Sequence, residues 1–174
     1  MIAVKGSRKP IENERELEFA VFCIENVAAR IGKPSDEVYR ALTGEGDILN
    51  QYIVPCYEPL HTQGRDYIVN DILEVMRERG ASVLLSYGGG IDGIEIPRER
   101  KRMTANRNLL RMKFARVVEG LAAELKCPLD EALKRFYSSM TYRLMRDGVS
   151  DMHCMSVRYL VEEIVAESPN VIAV

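Results

Sequence analysis

The stretch Glu25-Asn26-Val27-Ala28-Ala29-Arg30-Ile31-Gly32-Lys33-Pro34-Ser35-Asp36-Glu37 has a counterpart in Glu119-Gly120-Leu121-Ala122-Ala123-Glu124-Leu125-Lys126-Cys127-Pro128-Leu129-Asp130-Glu131. At a shift of 94 (119 − 25), Glu25, Ala28, Ala29, Pro34, Asp36 and Glu37 meet identical residues, and Ile31 and Leu42 meet Leu125 and Phe136. Further on the shift becomes 92 (153 − 61), as a two-residue deletion in a loop produces. Leu60-His61 then falls on Met152-His153, and Tyr67, Val69 and Ile72 fall on Tyr159, Val161 and Ile164. Asp71 meets Glu163, and His61 and His153 are the two histidines of the chain. Internal self-similarity of this kind is the signature of a duplicated supersecondary unit.

Each copy reads as helical. Leu17, Val21, Ile24, Ala28 and Ile31 recur at spacings of three and four and predict a helix over 13–31, ended by Gly32 and Pro34. A second helix starts near Ser35, with Asp36 and Glu37 in its first turn, where acids suit the helix dipole. Asp47 is placed to cap a short helix through Ile53. Thr62 is placed to cap the last helix, whose apolar face is Tyr67, Val69, Ile72, Leu73 and Met76, with Gly80 as its stop. In the second copy, helices are expected at 109–126, from Pro128 onward, at 141–146 and at about 153–167. Between the copies, Val83-Leu84-Leu85 and Ile91-Asp92-Gly93-Ile94-Glu95-Ile96 flank Gly88-Gly89-Gly90 and suggest a hairpin or extended connector. The expected fold is therefore all-α: a tandem repeat of two small helical units (13–80 and 110–168) with a short β-like connector (81–109).

Length and composition agree with a globular chain. The 174 residues are 47% apolar, a normal share, and a unit the size of one repeat is near the limit for a stable lone core. The copies are expected to pack together or to pair with another chain. A net charge of −2 exerts no general pull on nucleic acid. None of Cys23, Cys56, Cys127 and Cys154 is duplicated, which argues against a disulfide framework or a repeated metal site. No apolar run approaches the ~20 residues that span a bilayer, and the first residues lack the core of a signal peptide. A cytoplasmic protein with reduced thiols is expected, without cofactor or metal.

Four features are candidate sites. The acids repeated in place, Glu25/Glu119 and Asp36-Glu37/Asp130-Glu131, could do acid–base work, but helix-start electrostatics and helix packing explain them more simply. Gly88, Gly90 and Gly93 satisfy G-x-G-x-x-G, but the chain continues Ile94-Glu95-Ile96-Pro97. That is not the helix start a dinucleotide site needs, so a linker is the better reading. Residues 98–113 carry Arg98, Arg100, Lys101, Arg102, Arg107, Arg111 and Lys113 against Glu99. Such a segment binds an acidic partner or nucleic acid, or is simply solvated; no aromatics are interleaved for base stacking. His61 and His153 open three roles: structural joint, binding surface, or catalytic or zinc residue with Cys56 and Cys154. The copies differ around them, since Thr62-Gln63-Gly64 faces Cys154-Met155-Ser156, so the reactive neighbours are what is not shared.

Glu18-Phe19, Phe22-Cys23-Ile24-Glu25-Asn26, Glu37-Val38-Tyr39 and Leu60-His61-Thr62-Gln63-Gly64-Arg65-Asp66-Tyr67-Ile68-Val69-Asn70-Asp71-Ile72 together carry a resemblance to an uncharacterised bacterial family of short helical proteins, a domain of unknown function. It covers residues 15–79, with the Leu-His-Thr-Gln segment as its most specific part. Residues 110–168 look like a diverged copy. The resemblance implies no activity or cofactor. Relatives are often encoded beside proteins that look like ADP-ribosyltransferases, which implies an accessory or antitoxin-like role. The leading expectation is a non-catalytic interaction module with a protein partner or self-association, His61, Thr62, Gln63, Tyr67, His153 and Tyr159 forming the binding residues. The alternatives are a nucleic-acid-binding regulator using Arg98, Arg100, Lys101, Arg102 and Arg107, and an enzyme or metal site at the histidines.

Overall fold

A computed structural model describes residues 8–81 and 107–167. Among them every regular element is helical. The order is α1 (Glu14–Ile31), α2 (Ser35–Leu42), a π-helical turn (Leu49–Ile53), α3 (Tyr57–Leu60), α4 (Arg65–Glu78), α5 (Arg107–Leu125), α6 (Leu129–Ser138), α7 (Met140–Asp147), a 3-10 turn (Val149–Cys154) and α8 (Val157–Ala166). The expected hairpin lies outside the described residues. The chain divides into two compact units. Residues 8–10 and 19–81 contribute to the first, and residues 11–18 and 107–167 to the second.

In the first unit Ile24, Val27, Val38, Leu42, Ile53, Ile68, Val69, Ile72 and Met76 are buried. Polar ties fix the helices around them. Ser35 Oγ donates to Glu25 Oε2 at 2.9 Å and joins α2 to α1. Arg30 reaches Asp66 at 3.2 Å, and Tyr52 Oη donates to Asp71 Oδ2 at 2.6 Å, joining the π-helical turn to α4. Glu25 thus ties α2 to α1 from one turn below the small Ala28-Ala29 pair.

In the second unit α5 packs on α6 and α8. Phe114, Phe136, Tyr137 and Tyr142 form a fully buried aromatic cluster. Glu167 caps α7 from a distance, accepting from the backbone N–H of Met140 (2.6 Å) and Thr141 (2.7 Å). Asp130 Oδ2 accepts from the backbone N–H of Ile11 at 2.9 Å, so the acid heading α6 also holds the segment before α1.

The units share details of local geometry. Gly32 and Lys126 both close a helix in the left-handed conformation (φ +65° and +51°). The next N–H returns to Ala28 O and Ala122 O, both at 3.1 Å, the bond that closes a Schellman motif. Pro34 and Pro128 then open α2 and α6, each carbonyl accepting the first two helical bonds. Gly64 and Ser156, both extended, precede α4 and α8.

Several expected boundaries shift. Thr62 does not cap α4: its hydroxyl donates to Pro59 O, and Gly64 occupies the cap. The histidines do not directly precede the last helices. His61 follows α3, His153 sits in the 3-10 turn, and α4 and α8 start four residues later, at Arg65 and Val157. Pro59 within a four-residue helix and the short 3-10 turn are elements too brief for a periodicity to reveal. Asp47 does precede a helical turn through Ile53, its carbonyl accepting from Gln51 N–H at 2.9 Å, but it has φ +35° and its side chain pairs with Arg8 at 3.1 Å instead of capping that turn.

Glu119 supplies a pH-dependent prediction. Burial, then Glu14 and Glu18, hold its carboxyl above the ordinary value, with Arg116 opposing. An acid weakened by folding favours the folded state when protonated, so its contribution diminishes as pH rises from the ordinary carboxylate range through the raised value. Glu119→Gln should therefore raise stability at neutral pH, by less than ~1 kcal/mol because the group is partly solvated. The gain should vanish near about pH 3, where both states are protonated. Urea midpoints at the two pH values check this; a gain that persists in acid would show that the charge is not its source.

Candidate functional site

The run from Leu60 to Ile68 positions the most conspicuous surface of the first unit. Leu60 and Ile68 are buried, while residues 61–67 are all exposed. The apolar ends pin a polar loop across the break between α3 and α4. Within it, His61 stacks on Tyr57 with ring centres 4.5 Å apart and planes 12° apart. The His61 Nδ1–H donates to Tyr57 O at 2.9 Å, because a carbonyl only accepts. Tyr57 in turn meets Phe19 edge-on at 5.4 Å, and Phe19 stacks with Phe22 at 6.3 Å. An aromatic ladder therefore runs from buried Phe19 on α1 out to the exposed imidazole.

The rest of the loop is held by short-range bonds. Thr62 Oγ1 donates to Pro59 O at 3.2 Å, and the Gln63 amide reaches Pro59 O at 3.5 Å and Thr62 Oγ1 at 3.4 Å. Asp66 pairs with Arg30 at 3.2 Å and with Arg65 at 3.5 Å. Tyr67 is 58% exposed. On the neighbouring face, burial first and then Asp71 hold the Tyr52 phenol far above its ordinary value. Burial and Asp71 also push up the Cys56 thiol. A thiol held protonated is a weaker nucleophile. Among the described residues no three His, Cys, Asp or Glu side chains are grouped to hold a metal. No described helix is long and apolar enough to cross a membrane.

His153 is placed differently. It follows buried Met152, and its Nδ1 is buried with no hydrogen-bond partner among the described residues. Its carbonyl, with that of Met155, accepts from Lys113 Nζ, at 2.6 Å and 2.5 Å. Tyr159 is 41% exposed and donates to Glu163 one turn on, which raises its phenol pKa. The acid at Asp71 and Glu163 thus receives a tyrosine hydroxyl in both units, though from non-equivalent tyrosines.

Of the predicted residues, His61, Thr62, Gln63 and Tyr67 share one exposed run, while His153 and Tyr159 flank the start of α8. Arg98, Arg100, Lys101 and Arg102 lie outside the described residues, and Arg107 begins α5. Lys113, counted in the basic segment, closes an internal turn. Sequence reasoning missed Tyr57, the ring on which His61 stacks. The usable signal was spacing: Tyr57 stands four residues before His61, where helical side chains meet.

Neither a curated protein nor a solved structure matches the chain. Residues 18–79 match the model of a family described as proteins of unknown function (DUF3791), whose span contains the whole exposed loop and the aromatic ladder beneath it.

Proposed function

We propose that this chain is a non-catalytic interaction module built from two related helical units, with residues 61–67 as its principal docking surface. The observation that carries this reading is the unbroken exposed run between buried Leu60 and Ile68. Seven consecutive exposed residues, pinned at both ends and internally hydrogen-bonded, form a pre-organised surface. Such a surface binds with less ordering cost than a loose loop. The duplication is supported by the paired Schellman closures and the paired proline starts. It is also supported by buried apolar residues at equivalent positions: Ile24 and Val118, Ile68 and Leu160, Ile72 and Ile164. The second copy keeps the scaffold and alters the loop, so the units serve different contacts. The family resemblance extends the proposal to a cytoplasmic, accessory or antitoxin-like regulator of a partner resembling ADP-ribosyltransferases.

The test is affinity capture with the full chain as bait, wild type beside a His61→Ala/Tyr67→Ala double variant. Both side chains are exposed, so the variant should melt with the wild type while its specific capture falls at least about tenfold, the scale of a modest interface hot spot. A wild-type bait that captures nothing beyond an unrelated helical control, and stays monomeric when concentrated, sinks the proposal. Binding that survives in the double variant but weakens steeply with salt would favour residues 98–107 and nucleic acid instead.

A further inference from the structure

We infer that the exposed surface around His61 is a receptor for an arginine side chain presented by the partner. This rests on the docking surface proposed above and assigns its chemistry. The argument is an inventory of donors and acceptors. The His61 Nδ1–H is directed inward to Tyr57 O, the Thr62 hydroxyl donates to Pro59 O, and the Gln63 amide nitrogen faces Pro59 O and Thr62 Oγ1. With Nδ1 directed to Tyr57 O, Nε2 is the ring nitrogen left for a visitor, and a glutamine whose nitrogen is engaged presents its carbonyl oxygen. The side-chain donors of three consecutive exposed polar residues thus point at the carbonyls of α3, and acceptors are left for a visitor.

Two further observations select the visitor. Glu58 lies three residues before His61 on the exposed side of α3, close enough in helical spacing to share its surface. The Asp66 carboxylate is already engaged by Arg30 and Arg65, whereas Glu58 adds an exposed carboxylate that has no ion-pair partner among the described residues. The His61 ring is also held flat, one face covered by Tyr57 at 4.5 Å and the residue exposed. The complement of a flat open ring edged by acceptors and one carboxylate is a planar, cationic, donor-only group. Guanidinium has that description: five N–H donors, no acceptor, a fixed plane and a tendency to stack on aromatic faces. An ammonium matches the charge but not the plane, and citrulline matches the plane but not the charge.

The experiment is an NMR titration of the full chain with N-acetyl-arginine amide, N-acetyl-lysine amide and N-acetyl-citrulline amide. The His61 ring and Gln63 side-chain resonances should move saturably with the arginine probe, which should bind about three- to fivefold tighter than the lysine probe. The citrulline probe should bind more weakly still. His61→Ala should abolish the arginine preference. Glu58→Gln should weaken both cationic probes about equally while leaving the melting temperature unchanged. Equal binding of the two cations, movement that never saturates, or an arginine preference surviving His61→Ala each overturns the assignment. A partner captured by wild type and lost in the His61 variant, without arginine preference, overturns this inference alone. Absence of any partner overturns the docking surface itself.

Discussion

Phe136→Ala is expected to destabilise the second unit by about 3–5 kcal/mol, the range for emptying a large aromatic from a packed core. Phe136 is fully buried and sits 5.3 Å from Phe114, 5.3 Å from Tyr137 and 5.0 Å from Tyr142, ring centre to ring centre. Its three neighbours are themselves nearly inaccessible, so they cannot swing from solvent to fill the void. Because α5, α6 and α7 each contribute a ring, the substitution removes contacts that join three helices. A domain with total stability of ~5–15 kcal/mol loses a large share of it. Phe136→Leu, which keeps most of the volume, should cost less than half as much. Urea unfolding followed by far-ultraviolet dichroism measures both, and near-ultraviolet tyrosine dichroism reports Tyr137 and Tyr142 directly. A loss below about 1.5 kcal/mol for the alanine variant would mean that the cluster packs loosely or rearranges.

Phe136 also shows which parts of the architecture were readable from the chain alone. At a shift of 94 it aligns with Leu42, also fully buried, and the agreement in apolar character is visible in the sequence although the residues differ. The long helices α1, α4 and α5 announced themselves through repeated apolar spacing, which persists over several turns and survives a doubtful residue. The short elements did not. α3 spans four residues and contains Pro59, and the 3-10 turn contains Asp151 at φ +51°; neither is long enough to establish a period. The π-helical turn depends on a one-residue excess in the bond from Val54 N–H to Leu49 O. Sequence pattern does not distinguish that from an ordinary turn.

The candidate surface was legible in identity more than in arrangement. His61, Thr62, Gln63 and Tyr67 are consecutive or nearly so, and their polarity between Leu60 and Ile68 marked them as a surface run. Their orientation was not legible, because it rests on Tyr57 stacking under His61 and on two carbonyls gathering the donors. The basic segment taught the converse lesson. Lys113 contributed to its charge but ties the His153–Met155 turn internally, a use of a cation that charge counting cannot foresee. The two histidines, aligned at a shift of 92, therefore differ in circumstance: one ring is exposed and stacked, the other partly buried with no partner for Nδ1 among the described residues.

Gly120→Leu is expected to cost about 3 kcal/mol and to displace α8. A Cβ built on Gly120 would lie 2.8 Å from Val161 Cγ2 and 3.7 Å from Val157 Cγ1, the first being closer than real contacts allow. Val161 is buried and stiff about χ1, so relief requires the helix to move. Two effects compete at this site. Replacing a helical glycine by alanine gains about 1 kcal/mol of propensity, while overpacking a core costs about 1–3 kcal/mol. Gly120→Ala should therefore come out between neutral and destabilising by about 2 kcal/mol. Leucine keeps nearly the same propensity gain but adds three more carbons to the clash, so overpacking wins. Val161→Ala removes the opposing methyls, and combined with Gly120→Ala it should destabilise less than the sum of the single changes, by about 1 kcal/mol of coupling. At a shift of 94 Gly120 falls on Asn26, which donates to Phe22 O at 2.7 Å. Because α8 carries Tyr159 and Glu163, its displacement should also change the Tyr159 environment, readable by near-ultraviolet dichroism or tyrosine ring resonances. If Gly120→Leu melts with the wild type, or the double change is additive, the close packing of α5 on α8 is refuted.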